Sequence, residues 1–132
     1  ASGVARKLLE GTVEYTKQRK QFGQPIGKFQ ALQHRMADML VEAEQIASMT
    51  LMSTLRLGLP ADQRKAAVSL AKAKVARSIK FVGQSAVQTH GGIGITMELA
   101  IGHYFKRATM IESQFGSADH HLARYEALTL PA

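Results

Sequence analysis

Tyr15-Thr16-Lys17-Gln18-Arg19-Lys20-Gln21-Phe22-Gly23-Gln24-Pro25-Ile26-Gly27-Lys28-Phe29-Gln30 sets a basic helix end, an aromatic residue, a glycine- and proline-punctuated turn, and a second aromatic beside an amide in close order. Lys17, Arg19 and Lys20 fall where the last turns of a helix are expected, and cations there favour the negative end of the helix dipole. Gly23 can supply a positive φ at the stop, Pro25 pre-sets φ, and Gly27 leaves the chain free to turn into the next helix. The spacing predicts a helix–turn–helix corner carrying the fork donor Arg19 beside Gln21 and the flat ring of Phe22. Two readings stand at this point. The corner holds a phosphate and a stacked base, or it is a solvated cap with Phe22 and Phe29 in the core.

Upstream of the corner, residues 2–21 form the first expected helix, with Val4, Leu8, Val13 and Tyr15 near one side and Ser2 as its N-cap. Downstream, residues 29–57 carry Leu32, Met36, Met39, Leu40, Ala43, Ile46, Ala47 and Leu51 in an i, i+3, i+4 pattern, until Gly58-Leu59-Pro60 stops the helix. A third helix, residues 61–89, is capped near Asp62. It shows Ala67, Leu70, Ala71, Lys74, Val75, Ile79 and Val82, with Lys and Arg on much of the opposite face. Gly91-Gly92-Ile93-Gly94 is expected to end it in a loop. A fourth helix over 99–114 and a short tail helix over 118–128 follow. The pattern predicts an all-α fold, an antiparallel up-and-down four-helix bundle with a short C-terminal extra helix.

The length of 132 residues suits one domain with an ordinary core. With no cysteine there is neither a disulfide framework nor thiolate chemistry, which is compatible with cytosol. No apolar run reaches membrane-spanning length, and no signal peptide is visible. The net charge of +7 raises nucleic acid or a polyanionic membrane as a partner, but the 17 Lys and Arg residues are spread among acidic ones and read as a solvated surface. Asp119-His120-His121 invites a metal reading. Adjacent helical side chains diverge by about 100°, so the two imidazoles do not converge on one ion.

Arg19-Lys20-Gln21-Phe22-Gly23, followed by Ile26 and Phe29-Gln30, closely resembles the first signature of the C-terminal domain of acyl-CoA dehydrogenases. A second match runs from Gln88 to Glu98, Gln-Thr-His-Gly-Gly-Ile-Gly-Ile-Thr-Met-Glu, in the family's order and spacing, so the resemblance covers essentially the whole chain. It implies a four-helix bundle, the fold predicted above from periodicity. Family members are nearly three times longer. Together with the start at Ala1 inside a helical pattern, this makes residues 1–132 read as one helical bundle domain excised from a longer, bacterial cytoplasmic protein. The family's bundles pack together in dimers of dimers, so part of the stripe Met36, Met39, Met49 and Met52 is either adaptable core filling or subunit interface.

What the resemblance implies for the site is specific. Arg19 matches the arginine on the FAD pyrophosphate, Gln21 and Phe22 its neighbours on the adenosine side, and Phe29 and Gln30 a pair that also borders the cofactor. Gln88, Gly91 and Gly92 match a segment that reaches the FAD of a neighbouring subunit, where glycine lets backbone N–H groups approach an anion. His90 is expected to pack or bond to the backbone. Gly116 matches a position beside the acyl thioester, and Ser117 one on the adenosine side of FAD.

The family's usual base is a glutamate at the end of the fourth helix that removes the α-proton of an acyl-CoA while the β-hydrogen leaves as hydride. Counted without a gap, this chain reads Gln114-Phe115-Gly116-Ser117 there, and no catalytic residue is assigned, because a phenyl ring accepts no proton. A base upstream of Ala1, a partner subunit that supplies it in a hetero-oligomer, or, last, Glu112 one turn earlier are the three readings. The partners implied are acyl-CoA, further subunits and an electron-transfer flavoprotein or similar acceptor.

Overall fold

The computed structural model describes residues 1–96 and 99–130, so Met97 and Glu98 of the second motif lie outside the described residues. Helix α1 spans Ser2–Gln18, α2 Gln30–Leu55, α3 Ala61–His90, α4 Ala100–Ser113 and α5 Ala118–Thr129. A two-residue antiparallel hairpin, β1 Lys20–Gln21 with β2 Gln24–Pro25, and a 3-10 turn Ile26–Lys28 fill the corner between α1 and α2. Helix α3 packs against α1, α2, α4 and α5 and is the axis of the molecule. The predicted bundle with its extra helix is the observed fold.

The buried stripe of α1 is not the one expected. Ala5, Leu8, Thr12 and Thr16 are buried, while Val4, Val13 and Tyr15 are only half-buried. The reason is that each threonine hydroxyl is satisfied within its own helix. Thr12 Oγ1 donates to Leu8 O at 2.7 Å and Thr16 Oγ1 to Val13 O at 2.8 Å, so a polar residue enters the core at little cost. Ser2 is the first helical residue and Ala1 the N-cap, with no side-chain cap bond.

On α2 the core side is Met39, Ala43 and Ile46, while Leu40 and Leu51 face outward. They pack with Leu8, Ile79 and Val82. Glu42 bridges α2 to α3, accepting from Lys74 Nζ at 2.8 Å and from the Ser78 hydroxyl. Burial alone pushes the Glu42 carboxyl up, but the bonds from Lys74 and Ser78 outweigh it and hold the group below its ordinary value.

Touched on four sides, α3 has room mainly for Ala, Ser and Gly on its inner surface. A Cβ on Gly83 would stand 3.2 Å from the Phe105 ring. Pro60, not Asp62, occupies its N-cap, and Asp62 sits in the first turn. Its far end passes into a 3-10 turn, Gly91–Ile95, where a loop was expected. The expected helix ends are otherwise corrected by one to three residues. The largest correction is at α1, which stops at Gln18 because Lys20 and Gln21 pair with Pro25 and Gln24.

Candidate functional site

The corner takes its shape from two consecutive left-handed residues. Phe22 (φ 53°) and Gly23 (φ 78°) form the two-residue turn of the hairpin, as a primed turn requires. Glycine adopts that region freely, but phenylalanine does so against the clash of its Cβ. The Phe22 ring is 91% exposed, so the core reading of this residue is wrong. Its one aromatic contact is edge-on with half-buried Phe29, ring centres 6.0 Å apart.

Arg19 supplies the backbone frame of the corner. Its N–H donates to Tyr15 O and its carbonyl accepts from Ile26, both at 2.8 Å. Its side chain is exposed and, among the described residues, has no carboxylate partner, which leaves the guanidinium fork open to an anion. Gln21 and Gln30 are exposed beside it. Gly27 is needed for a close approach rather than for turning, since a Cβ there would stand 3.1 Å from Thr16 O.

The second motif reaches the same end of the bundle. The Tyr15 ring stacks on His90 with centres 4.2 Å apart, tying the end of α1 to the end of α3. His90 is buried, and its Nδ1 donates to Ala86 O at 2.8 Å. Burial lowers its pKa, opposed by that backbone bond, so the imidazole is a neutral packing and backbone-bonding group, as expected. Gln88, Gly91 and Gly92 are exposed, and a Cβ on either glycine would meet nothing within 4 Å. Gly91 is required by its φ of 68°. Its N–H is already used in capping α3, bonding to Val87 O and Gln88 O, so it does not face an anion freely. The glycine that packing demands is Gly94, whose Cβ would lie 2.9 Å from Val87 O. Its signal was its place inside the motif, where only the first two glycines drew attention.

A third feature follows the end of α4. Phe115 (φ 64°) and Gly116 (φ 110°) repeat the pattern of Phe22 and Gly23, and the Phe115 ring is 85% exposed. Gly116 admits no side chain, because a Cβ would stand 2.8 Å from His120 Cδ2. Ser117 Oγ accepts from His120 N–H at 3.2 Å and caps α5. Glu112 is drawn to α3, its carboxylate 3.2 Å from Lys80 Nζ. Among the described residues there is no group of three metal-ligating side chains, and the rings of His120 and His121 meet edge-on.

Two residues hold this turn, Lys72, absent from the sequence reading, and His121, which the sequence offered only as a metal candidate. Lys72 Nζ donates to Ile111 O at 3.3 Å and to Glu112 O and Gly116 O, each at 3.0 Å. His121 Nε2 lies 2.9 Å from Phe115 O. Lys72 was invisible as a site residue because nothing in a single lysine on α3 marks a reach across 39 to 44 positions of sequence.

The corner and the Gly91 turn therefore share the His90 end of α3, while the Phe115 turn sits beside Lys72. Eighteen residues of one continuous helix separate those two levels, about 27 Å along its axis.

An open guanidinium fork and two exposed, left-handed phenylalanines stand on an all-helical bundle domain. The chain belongs to the acyl-CoA dehydrogenase family: the family profile for Acyl-CoA dehydrogenase, C-terminal domain, matches residues 1–126. Acyl-CoA dehydrogenase IpdE2 of Mycolicibacterium smegmatis is 42% identical over 125 residues, which are 95% of this chain and 38% of that protein. The solved FAD complex of PigA superposes with a TM-score of 0.85 at 27% identity, over 96% of this chain and 33% of that one. A chain of the ChsE4-ChsE5 complex from Mycobacterium tuberculosis superposes with a TM-score of 0.89 at 30% identity, over 99% of this chain and 36% of that one. The chain thus spans little more than a third of the IpdE2 relative's length.

Proposed function

We propose that residues 1–132 are the C-terminal helical domain of a longer FAD-dependent acyl-CoA dehydrogenase, an oxidoreductase for α,β-dehydrogenation of an acyl-CoA thioester. The single observation that carries this is the open Arg19 fork beside the exposed Phe22 ring at the corner, on a chain whose family is shown. The donor set fits an anionic, aromatic cofactor. Arg19 meets phosphate oxygens through parallel N–H bonds, and Phe22 with Phe29 offers an aromatic face and edge. Gln21, Gln30 and Gln88 provide amide donors and acceptors, Gly91 and Gly92 leave room for close approach, and Ser117 borders the far side. Gly116 would line the thioester. Bound FAD supplies the two-electron acceptor, and the chain supplies position and electrostatics.

Because the corner and the Phe115 turn lie at levels about 27 Å apart along α3, each flavin would be gripped by the corner of one chain and the Phe115 turn of another. This favours an oligomer built through the bundles, with part of the Met-bearing face of α2 as interface. An electron-transfer flavoprotein or similar acceptor would reoxidise the flavin. Lack of cysteine and bacterial relatives suit a bacterial cytoplasm. Among the described residues no helix is long and apolar enough to cross a membrane.

A second reading rests on Phe115 itself. With a phenyl ring at the end of α4 and Glu112 paired to Lys80, these residues hold no base at the thioester end. The chain is then a binding subunit whose partner carries the base. Anaerobic titration of the full-length protein with a panel of acyl-CoAs separates the two. Bleaching by the protein alone places the base elsewhere in its own polypeptide. Bleaching only with a co-expressed homologue supports the silent partner, and no bleaching in either case overturns both.

A further inference from the structure

The last carbonyls of a helix have no partner inside it, and at α4 they find one cation. Lys72, half-buried on α3, donates to Ile111 O and Glu112 O within the last turn of α4 and to Gly116 O beyond it. One ammonium thus uses its three donors on three carbonyls that bracket Phe115. From the other side, the His121 ring closes on Phe115 O at 2.9 Å. A hydrogen-bonded Nε2 on that carbonyl is a donor, which fixes the tautomer and leaves Nδ1 as an acceptor. Among the described residues, the buried Nδ1 has no partner. His121 therefore has no second hydrogen bond to hold it, and its ring is spent on the Phe115 carbonyl.

The turn so gripped has no support of its own. Phe115 is left-handed without being glycine, and its ring makes no burial that would offset the strain, being 85% exposed. A non-glycine residue is disfavoured there because its Cβ crowds the backbone. It persists only where surrounding bonds over-determine it.

We infer that Lys72 and His121 are positioning residues, a two-sided clamp that holds the Phe115–Gly116 turn left-handed so that the Phe115 ring is presented to the acyl-CoA end of the site. The inference rests on the reading of that turn as facing the thioester. Lys72 and His121 touch neither substrate nor cofactor in this scheme. They act through the carbonyls of residues 111, 112, 115 and 116. Lys72 does more than cap α4, because Gly116 O lies past the helix end and after the strained residue. The neighbouring ion pairs Lys80–Glu112 and Arg77–Asp119 tie the same elements together, at 3.2 and 3.5 Å, but reach no carbonyl of the turn.

The test uses 19F NMR of protein labelled with 4-fluorophenylalanine. The 132 residues contain five phenylalanines, and the Phe115→Leu variant assigns the line of interest by removing it. Lys72→Met is expected to displace or broaden the Phe115 line by more than its own width while the Phe22 line stays in place. Lys72→Arg, which keeps a cation within reach, should restore it. Lys65→Met, which breaks only an exposed pair with Asp62, should leave it alone. If Lys72→Met does not fold, Lys72→Gln is read in its place. A Phe115 line at its wild-type position in the folded Lys72 variant overturns the clamp, whatever the protein's substrate.

In the full-length protein, a non-reactive acyl-CoA thioether should bind about tenfold more weakly to the Lys72 variant than to wild type, with flavin content unchanged. Equal binding in the two removes the link to acyl-CoA. If wild type binds no acyl-CoA, the functional reading of the turn fails, while the 19F result still decides the clamp.

Discussion

Phe22 and Phe115 share a conformation that phenylalanine avoids, and both rings point to solvent. The strain at Phe115 is locked by its glycine neighbour. Gly116→Ala would force a Cβ into φ 110° and against the His120 and His121 rings, at 2.8 and 3.1 Å. We expect it to lower stability by about 1–3 kcal/mol in urea unfolding. Gly3→Ala, in open space on α1, should instead raise stability by roughly 0.5 kcal/mol. At this scale the motifs marked the candidate site positions and the positive φ of Gly23. They could not show that Phe22 is exposed, because burial of a lone aromatic beside a turn depends on what lies across from it. The roles of Lys72 and His121 were out of reach for the same reason, since both act on carbonyls of distant or turned backbone.

At the level of elements, α3 is the member against which the others are set, and two of its contacts make separable predictions. Ile46 of α2 is fully buried against the core, and Ile46→Ala should cost about 2–5 kcal/mol by chemical denaturation. Glu42 has its pKa held below the ordinary carboxylate value in the fold, so its contribution is present above that ordinary value and is lost as pH falls through the lower, folded one. The stability difference between wild type and Glu42→Gln should therefore be largest near neutrality and shrink below about pH 4. An unchanged difference across that window would show that the Lys74 and Ser78 bonds do not carry it. The helices themselves were legible from periodicity and from the breakers Gly58, Pro60 and Gly91. The stripe on α1 was not, because Thr12 and Thr16 read as polar until their hydroxyls are seen to bond within the helix. The hairpin was missed because two-residue strands carry no alternation to read.

For the whole molecule, the separation of the two levels decides more than either level alone. The His90 level of α3 carries Arg19, Phe22, Gln88 and Gly91; the Lys72 level carries Phe115, Gly116 and Ser117. The net charge of +7 is distributed, with local pairs such as Lys7–Glu10 and Lys65–Asp62, which agrees with a solvated surface rather than a nucleic-acid stripe. The exposed Arg19 fork has no carboxylate partner among the described residues, and the proposed flavin site depends on it. The most direct measurement is the visible absorbance of the full-length protein as purified, wild type beside Arg19→Ala. Bound yellow flavin in wild type and a loss of affinity of about 1.5–3 kcal/mol in a folded Arg19→Ala protein are the expected results. Equal flavin content and affinity in the two, or no flavin binding by wild type even with a co-expressed homologue, would contradict the assignment of the corner to the cofactor.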